Sequence, residues 1–555
     1  MSAWLQLDGV DTSFDEGTSD AIRELAMGVI HRTLTDTGQV RQLIRQGANP
    51  SVEPSLQHRH DATPRLLMLK KAYPLLSLSI DDMTDSTIPS IWAKDQDNGR
   101  LPVRLPRWPS PQLQDAVMTA LIDSWADINA EGADEDGRPI RVAVAAANLP
   151  AVGLLQRGVQ LHGFLVMRLP EDSMCPPTPE GERQLMAIYR RLIQYDSTLA
   201  AERDELGNTL VHSAASRMSR GRFSQAFNSQ YIDLLVDNGA DIRAANNTGG
   251  YTALHWAAHR GSYVFAGLCR KLSPDDINRG TDTNWTPLVI AAIRLRMSIR
   301  TLGDNETAEE RKEDIRTTEI PNLKTVIRTL LRAGGRTPTR RSERRERSLV
   351  LAEYATVLNG LCDVTMSAIN AALAPQRDHS MLLARLLPLA PHNDGRDPAP
   401  SPLSFGPHEA EAIGWKIGAF LHEPFAAAAA IDEYLIGEST LRRRVKAAMA
   451  HFVKSAATRT SSNREVIGDM ANMGGVMVRV PLQCFAVRGQ QGGQHRLLGL
   501  REVVHKARLD EAASHGVTGV VKGFNAHLAD DCVFEWRQLG YIDETTRLFV
   551  ALGIE

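Results

Sequence analysis

The residues best suited to chemistry lie near the end of the chain. Cys484, His495, His505, Asp510 and His515 fall close together in sequence, and Cys532 follows His527. A thiol becomes a nucleophile when a histidine within hydrogen-bond reach takes its proton and a third group orients that histidine. Nearness along the chain does not establish such a geometry, and neither thiol carries the flanking residues of a familiar cysteine hydrolase. His422-Glu423 lacks the second histidine that an HExxH zinc site requires. Gly489-Gln-Gln-Gly-Gly493 is not followed by Lys-Ser/Thr, so it reads as a turn between strands rather than a phosphate loop. The cysteines at 175, 269, 362, 484 and 532 form no CxxC pair and no zinc spacing, which suits free thiols in a reducing compartment. The sequence therefore assigns no catalytic residue, no metal ligand and no cofactor, and it leans away from an enzyme.

The elements that would position any site are mostly helical. Aromatic residues make up only 5% while alanine, leucine and arginine are abundant, a helical composition. At 555 residues the chain is too long for one ordinary domain. A net charge of -3 indicates neither general nucleic-acid binding nor attraction to a membrane surface. No run of eighteen apolar residues predicts a membrane span, and the polar start, residues 1–19, predicts a flexible leader with no signal peptide.

Residues 231–292 hold two copies of one unit. Thr252-Ala-Leu-His255 is answered by Thr286-Pro-Leu-Val289, roughly 33 residues on. Thr252 can cap a helix through its hydroxyl, and Pro287 fits a first helical turn. Leu254, Ala257 and Ala258 share one helical face, and Gly239 and Gly261 are placed to end helices. This segment resembles the ankyrin-repeat family. The resemblance implies a β-turn finger at 240–251, outer helices such as 231–236, and bracing structural roles for His255 and for His212, which comes after Thr209 in an upstream copy, Asp204-Glu-Leu-Gly-Asn-Thr209-Leu-Val-His212.

Weaker copies extend the pattern. Residues 136–158, 113–130, 40–50 and 74–79 resemble parts of the unit, as does 323–334 downstream; Trp125 stands where the family prefers glycine. The expected fold is mostly α: an ankyrin-repeat solenoid of about six irregular units over 20–337, then a mainly helical C-terminal domain with a small β element. A helical connector and Pro-rich linker fill 338–407, and the C-terminal domain fills 408–555. Within the latter, helices are expected at 410–421, 425–435, 441–453, 497–513, 530–539 and 544–552, with a strand in 476–487.

What the resemblance implies for function is a protein-binding scaffold whose concave face meets a protein partner. Its finger residues would be Asp241, Arg243, Asn246, Asn247, Tyr251, Asn278, Arg279, Asp282, Asn284 and Trp285. The composition and polar leader suggest a bacterial effector, resembling bacterial ankyrin-repeat proteins that engage host proteins. It would sit in the bacterial cytoplasm or be delivered into a host cell by a specialised secretion system. Two alternatives stay open: an ankyrin-targeted enzyme whose C-terminal domain modifies a bound protein, and a nuclear or nucleic-acid adaptor using the arginines at 340–347.

Overall fold

A computed structural model describes residues 4–59, 72–94, 100–132, 135–170, 176–217, 223–262, 265–340, 343–390, 399–400, 405–435, 437, 439–457, 470–473, 475–479, 483–488, 495–521, 534–543 and 545–555. The protein is mostly helical. It divides into two compact units, Met1–Leu268 with Gly280–Asn284, and Cys269–Arg279 with Trp285–Glu555. The division falls well before the expected boundary at 337, inside helix Phe265–Lys271.

The first unit is built from short helices with local start signals. Ser19, Asp36, Ser110, Asn148, Thr178 and Ser224 each accept a backbone N–H from the first turn of the helix they precede. These helices are Asp20–Ile30, Thr37–Arg45, Pro111–Asp123, Leu149–Leu155, Pro179–Tyr195 and Gln225–Asp237. Pro139–Ala145, Leu210–Arg217 and Ala253–Arg260 are further helices of this unit. Trp125 adopts φ 71°, so the left-handed position that favours glycine is kept despite the bulky residue.

The stretch expected to be a flexible leader carries strands Leu5–Gln6 and Val10–Ser13, and the region expected to hold helix pairs with β-turn fingers also contains a five-stranded sheet. Its order is Leu5–Gln6, Arg100–Arg104, Trp92–Lys94, Ser55–His58, Val10–Ser13. The two edge strands are consecutive in the chain, joined only by the 3-10 turn Leu7–Gly9. In a flat sheet they would stand ~19 Å apart, four gaps of ~4.8 Å, and four Cα steps reach only ~14 Å. The sheet must therefore curl, bringing its edges towards each other.

Under these layers lies a buried ionic pin. Arg32 donates to the carbonyls of Val29 (2.5 Å) and Leu78 (2.6 Å) and to Asp81 (3.3 Å). Trp108 covers its guanidinium, and donates its own indole N–H to Ser79 O at 2.8 Å. Burial lowers the Arg32 pKa to about 10 and raises that of Asp81, so the pair is held against a desolvation cost by its extra hydrogen bonds.

The second unit is organised on one long helix, Arg344–Leu386. Helices Pro287–Leu302 and Ile320–Arg332 are tied to it by Arg296–Glu346 (2.7 Å), Arg328–Glu353 (2.6 Å) and Lys324–Glu353 (3.3 Å). The expected connector is thus a structural spine, which is why the last repeat-like helices belong to this unit. Helices Pro424–Tyr434, Thr440–Ala457 and Leu500–His515 close a core around Leu361, Ile369, Ile431, Met449, Phe452 and Val503. A four-stranded antiparallel sheet of Arg496–Leu498, Phe485–Val487, Leu539–Ile542 and Phe549–Ala551 lies against this core. Within the stretch expected to be a helix at 544–552, Phe549–Ala551 is instead a strand, and Leu539–Ile542 pairs with it. Gly540 permits this, because a Cβ there would strike the Val550 carbonyl and the Phe549 ring.

Candidate functional site: a braced finger and an aromatic ledge

The finger at 246–251 is locked by its own side chains. Asn246 N–H donates to Tyr251 O (2.8 Å), and Tyr251 N–H returns to Asn246 Oδ1 (2.9 Å). The Asn246 amide also donates to Asn208 Oδ1 and Thr248 Oγ1, both at 3.1 Å. The upstream finger is locked in a related way, with Asn208 N–H on Asp204 Oδ1 (2.8 Å) and Asp204 N–H on Asn208 O (2.9 Å). Backbone rungs link successive tips: Asn247 N–H to Leu206 O at 2.8 Å, and Asp282 N–H to Gly249 O at 3.0 Å.

The same backbone event recurs before each threonine. Gly207 (φ 76°), Gly250 (φ 68°) and Asn284 (φ 63°) are left-handed and stand two residues ahead of Thr209, Thr252 and Thr286. The partner of each threonine is set by the residue three positions later. At Thr209 the N–H donates to His212 Nδ1 (3.1 Å) with the hydroxyl 2.9 Å from the same nitrogen, and Thr252 does likewise with His255 (3.1 and 2.8 Å). The Thr252 hydroxyl thus meets an imidazole as well as the helix start, in a capping box where it faces the His255 N–H and the His255 side chain accepts the Thr252 N–H. Thr286 has Val289 instead, and its hydroxyl accepts the Val289 N–H at 3.4 Å; Pro287 takes the first helical turn.

His212 Nε2 lies 3.0 Å from Tyr251 O, so the upstream helix supports the next finger from beneath. With Nδ1 accepting, Nε2 carries the proton and donates. Burial lowers the His212 pKa, consistent with a neutral ring.

Above this brace three rings form a half-exposed ledge. Tyr251 and Trp256 centroids are 5.8 Å apart, Trp256 and His259 6.1 Å, and Tyr251 stands edge-on to buried His255 at 5.9 Å. Leu254, Ala257 and Ala258 fill the buried face of helix Ala253–Arg260, which turns Trp256 and His259 the other way. Sequence reasoning missed both residues, although their offset from that apolar face was a usable signal.

The other expected site residues separate into two groups. Asp241, Arg243, Asn247, Arg279, Asp282, Asn284 and Trp285 are exposed. Asn246 and Asn278 are not free for a partner: Asn246 is buried in its finger, and Asn278 donates to Gly334 O (3.0 Å) and accepts from Arg336 N–H (2.7 Å). Gly239 and Gly261 are left-handed at helix ends.

The residues considered for catalysis have separate surroundings. His495 stacks on Phe549, and His515 bonds Glu511, which takes the Tyr354 hydroxyl. Asp510 accepts from Trp536 and Lys506. Cys484 presents its carbonyl 3.1 Å from His451 Nε2, and Cys532 and His527 lie outside the described residues. Arg340 lies 3.9 Å from Glu343. Among the described residues no group of three His, Cys, Asp or Glu is arranged to hold a metal ion. A cleft of about 440 Å³ lies between the bend at 82–91 and strand Arg100–Arg104. Its charges are partly self-satisfied: Arg107 pairs with Asp85 at 3.0 Å, and Asp82 accepts from Thr84 and Ser86.

Comparison with known proteins supports one assignment. Residues 220–265 match the family model described as ankyrin repeats in many copies, a span that includes the braced finger and the aromatic ledge. No curated protein matches the chain.

Proposed function

We propose that the ankyrin-repeat segment at 220–265 makes this chain a protein-binding scaffold, as such repeats generally mediate protein–protein contacts. The observation that carries the reading is the Tyr251–Trp256–His259 ledge on a finger held rigid by His212 and Asn246. Half-exposed aromatic rings on a pre-ordered support bind with little loss of side-chain freedom, and tryptophan and tyrosine dominate interface energetics. Exposed Asn247, Asp282 and Arg243 around them would supply a polar rim.

The finer reading is a bacterial effector that engages a host protein through this surface. Alanine- and arginine-rich composition supports it. Crosslinking in host and bacterial lysates, then titration of the purified partner against Trp256→Ala, tests the binding role. A translocation-reporter fusion that never leaves the producing cell would refute delivery.

A further inference from the structure

A solvent-facing apolar stripe in the second unit goes beyond the binding role assigned to the repeat. Helix Pro407–Phe420 already has a buried side: Ala410, Gly414, Trp415 and Gly418 are covered. Gly414 and Gly418 let the long helix approach closely, since a Cβ at Gly414 would lie 2.9 Å from Ala384 N and one at Gly418 would strike the Ser380 hydroxyl. Helix Pro424–Tyr434 likewise buries Ala427 and Ile431 in the core. A surface helix with its apolar face satisfied should show polar residues outward.

The outward side of these two helices carries Glu409, Glu411, Lys416 and Glu433, but it turns apolar where they meet. Ile417, Phe420 and Leu421 at the end of the first helix and Phe425 and Ala429 at the start of the second are all exposed. Phe420 is 89% exposed and Phe425 91%. Two phenylalanines standing this far into solvent at one turn form a convex projection rather than a groove. Cations border it: Lys416 precedes Ile417, and Lys454 is close enough to His422 to act with burial in lowering its pKa. One exposed carboxylate, Glu423, lies within the turn.

We infer that the Phe420–Phe425 turn inserts shallowly into an anionic phospholipid surface, with Lys416 and Lys454 meeting the headgroups. Large apolar side chains exposed at one turn call for an apolar medium there, and a convex aromatic tip flanked by lysines matches the boundary between acyl chains and charged headgroups.

Flotation of the full chain with vesicles tests this, comparing phosphatidylcholine alone with a phosphatidylcholine–phosphatidylserine mixture. The wild type floats with the mixed vesicles and less with phosphatidylcholine alone. Phe420→Ser/Phe425→Ser lowers the partition coefficient about tenfold or more, and Lys416→Glu removes much of the preference for phosphatidylserine. Both variants keep the wild-type unfolding midpoint, because neither changes a buried side chain. Absence of wild-type flotation, undiminished flotation of the double phenylalanine variant, or equal binding to both vesicle types overturns the inference. So does a phenylalanine-dependent dimer in solution without vesicle binding, which would assign the stripe to a second copy.

Discussion

His212 Nε2 sits 3.0 Å from the carbonyl oxygen of Tyr251, joining one helix to a finger tip thirty-nine residues later. The imidazole uses both nitrogens, since Nδ1 accepts the Thr209 N–H. Replacing His212 by leucine leaves the buried Thr209 N–H without its acceptor and removes one of the two donors to the Tyr251 carbonyl, Asn246 N–H being the other. The expected loss is about 2–3 kcal/mol, read from the urea midpoint, and His212→Gln should recover part of it. An unchanged midpoint in His212→Leu would show that the brace carries no load.

The same histidine sets a pH response. Burial holds its folded pKa below the ordinary histidine value, so protonation favours the unfolded chain. Its contribution is full above the unfolded value and falls as pH drops through that value towards the lower folded one. His422 and His451 are shifted in the same direction by burial. Unfolding at mildly acidic pH should therefore need less urea than at pH about 7.5, and His212→Gln should flatten part of the slope.

A second pH window lies lower and involves Asp136. Burial alone would raise its pKa, but Arg141 and Arg168, each 2.9 Å away, outweigh burial and hold it at about 2. A folded pKa below the unfolded one stabilises above the unfolded value, and this gain is lost as pH falls through the folded value. Asp136→Asn should cost about 2 kcal/mol at neutral pH and almost nothing near pH 2. Denaturant titrations at both pH values check the difference.

Two glycines should answer alanine in opposite senses. Gly250 has φ 68°, and a Cβ there would meet Asp282 Oδ1 at 2.6 Å. Gly250→Ala should lower stability by about 1–2 kcal/mol. Gly360 lies within the long helix with no atom within 4 Å of its absent Cβ. Gly360→Ala should raise stability by about 0.5–1 kcal/mol. Thermal unfolding of the two variants separates a conformational requirement from a merely tolerated glycine.

The finger positions were legible in the sequence because they are local. Thr209, Thr252 and Thr286 each mark a left-handed turn and a helix start within three residues on either side, and that chemistry is written consecutively. Trp256 and His259 were hidden because motif matching stops at the buried histidine between them and the turn. The curled sheet was illegible for a different reason. Leu5–Gln6 is two residues long and pairs with Arg100–Arg104, while Val10–Ser13 pairs with Ser55–His58. Strands so short carry too few alternations to register, and their partners are remote in sequence. The helix expected at 544–552 failed on the same ground: Phe549–Ala551 is only three residues, and its pairing through Gly540 is a tertiary fact.

The binding role rests on the ledge beside the finger. Trp256→Ala removes a half-exposed ring while Leu254, Ala257 and Ala258 remain in place beneath it. With a partner recovered by crosslinking and then purified, its affinity for wild type and for Trp256→Ala can be compared by calorimetry. The expected result is a loss of about tenfold or more with the unfolding midpoint nearly unchanged. Equal affinities for the two proteins would contradict a partner seated on the ledge.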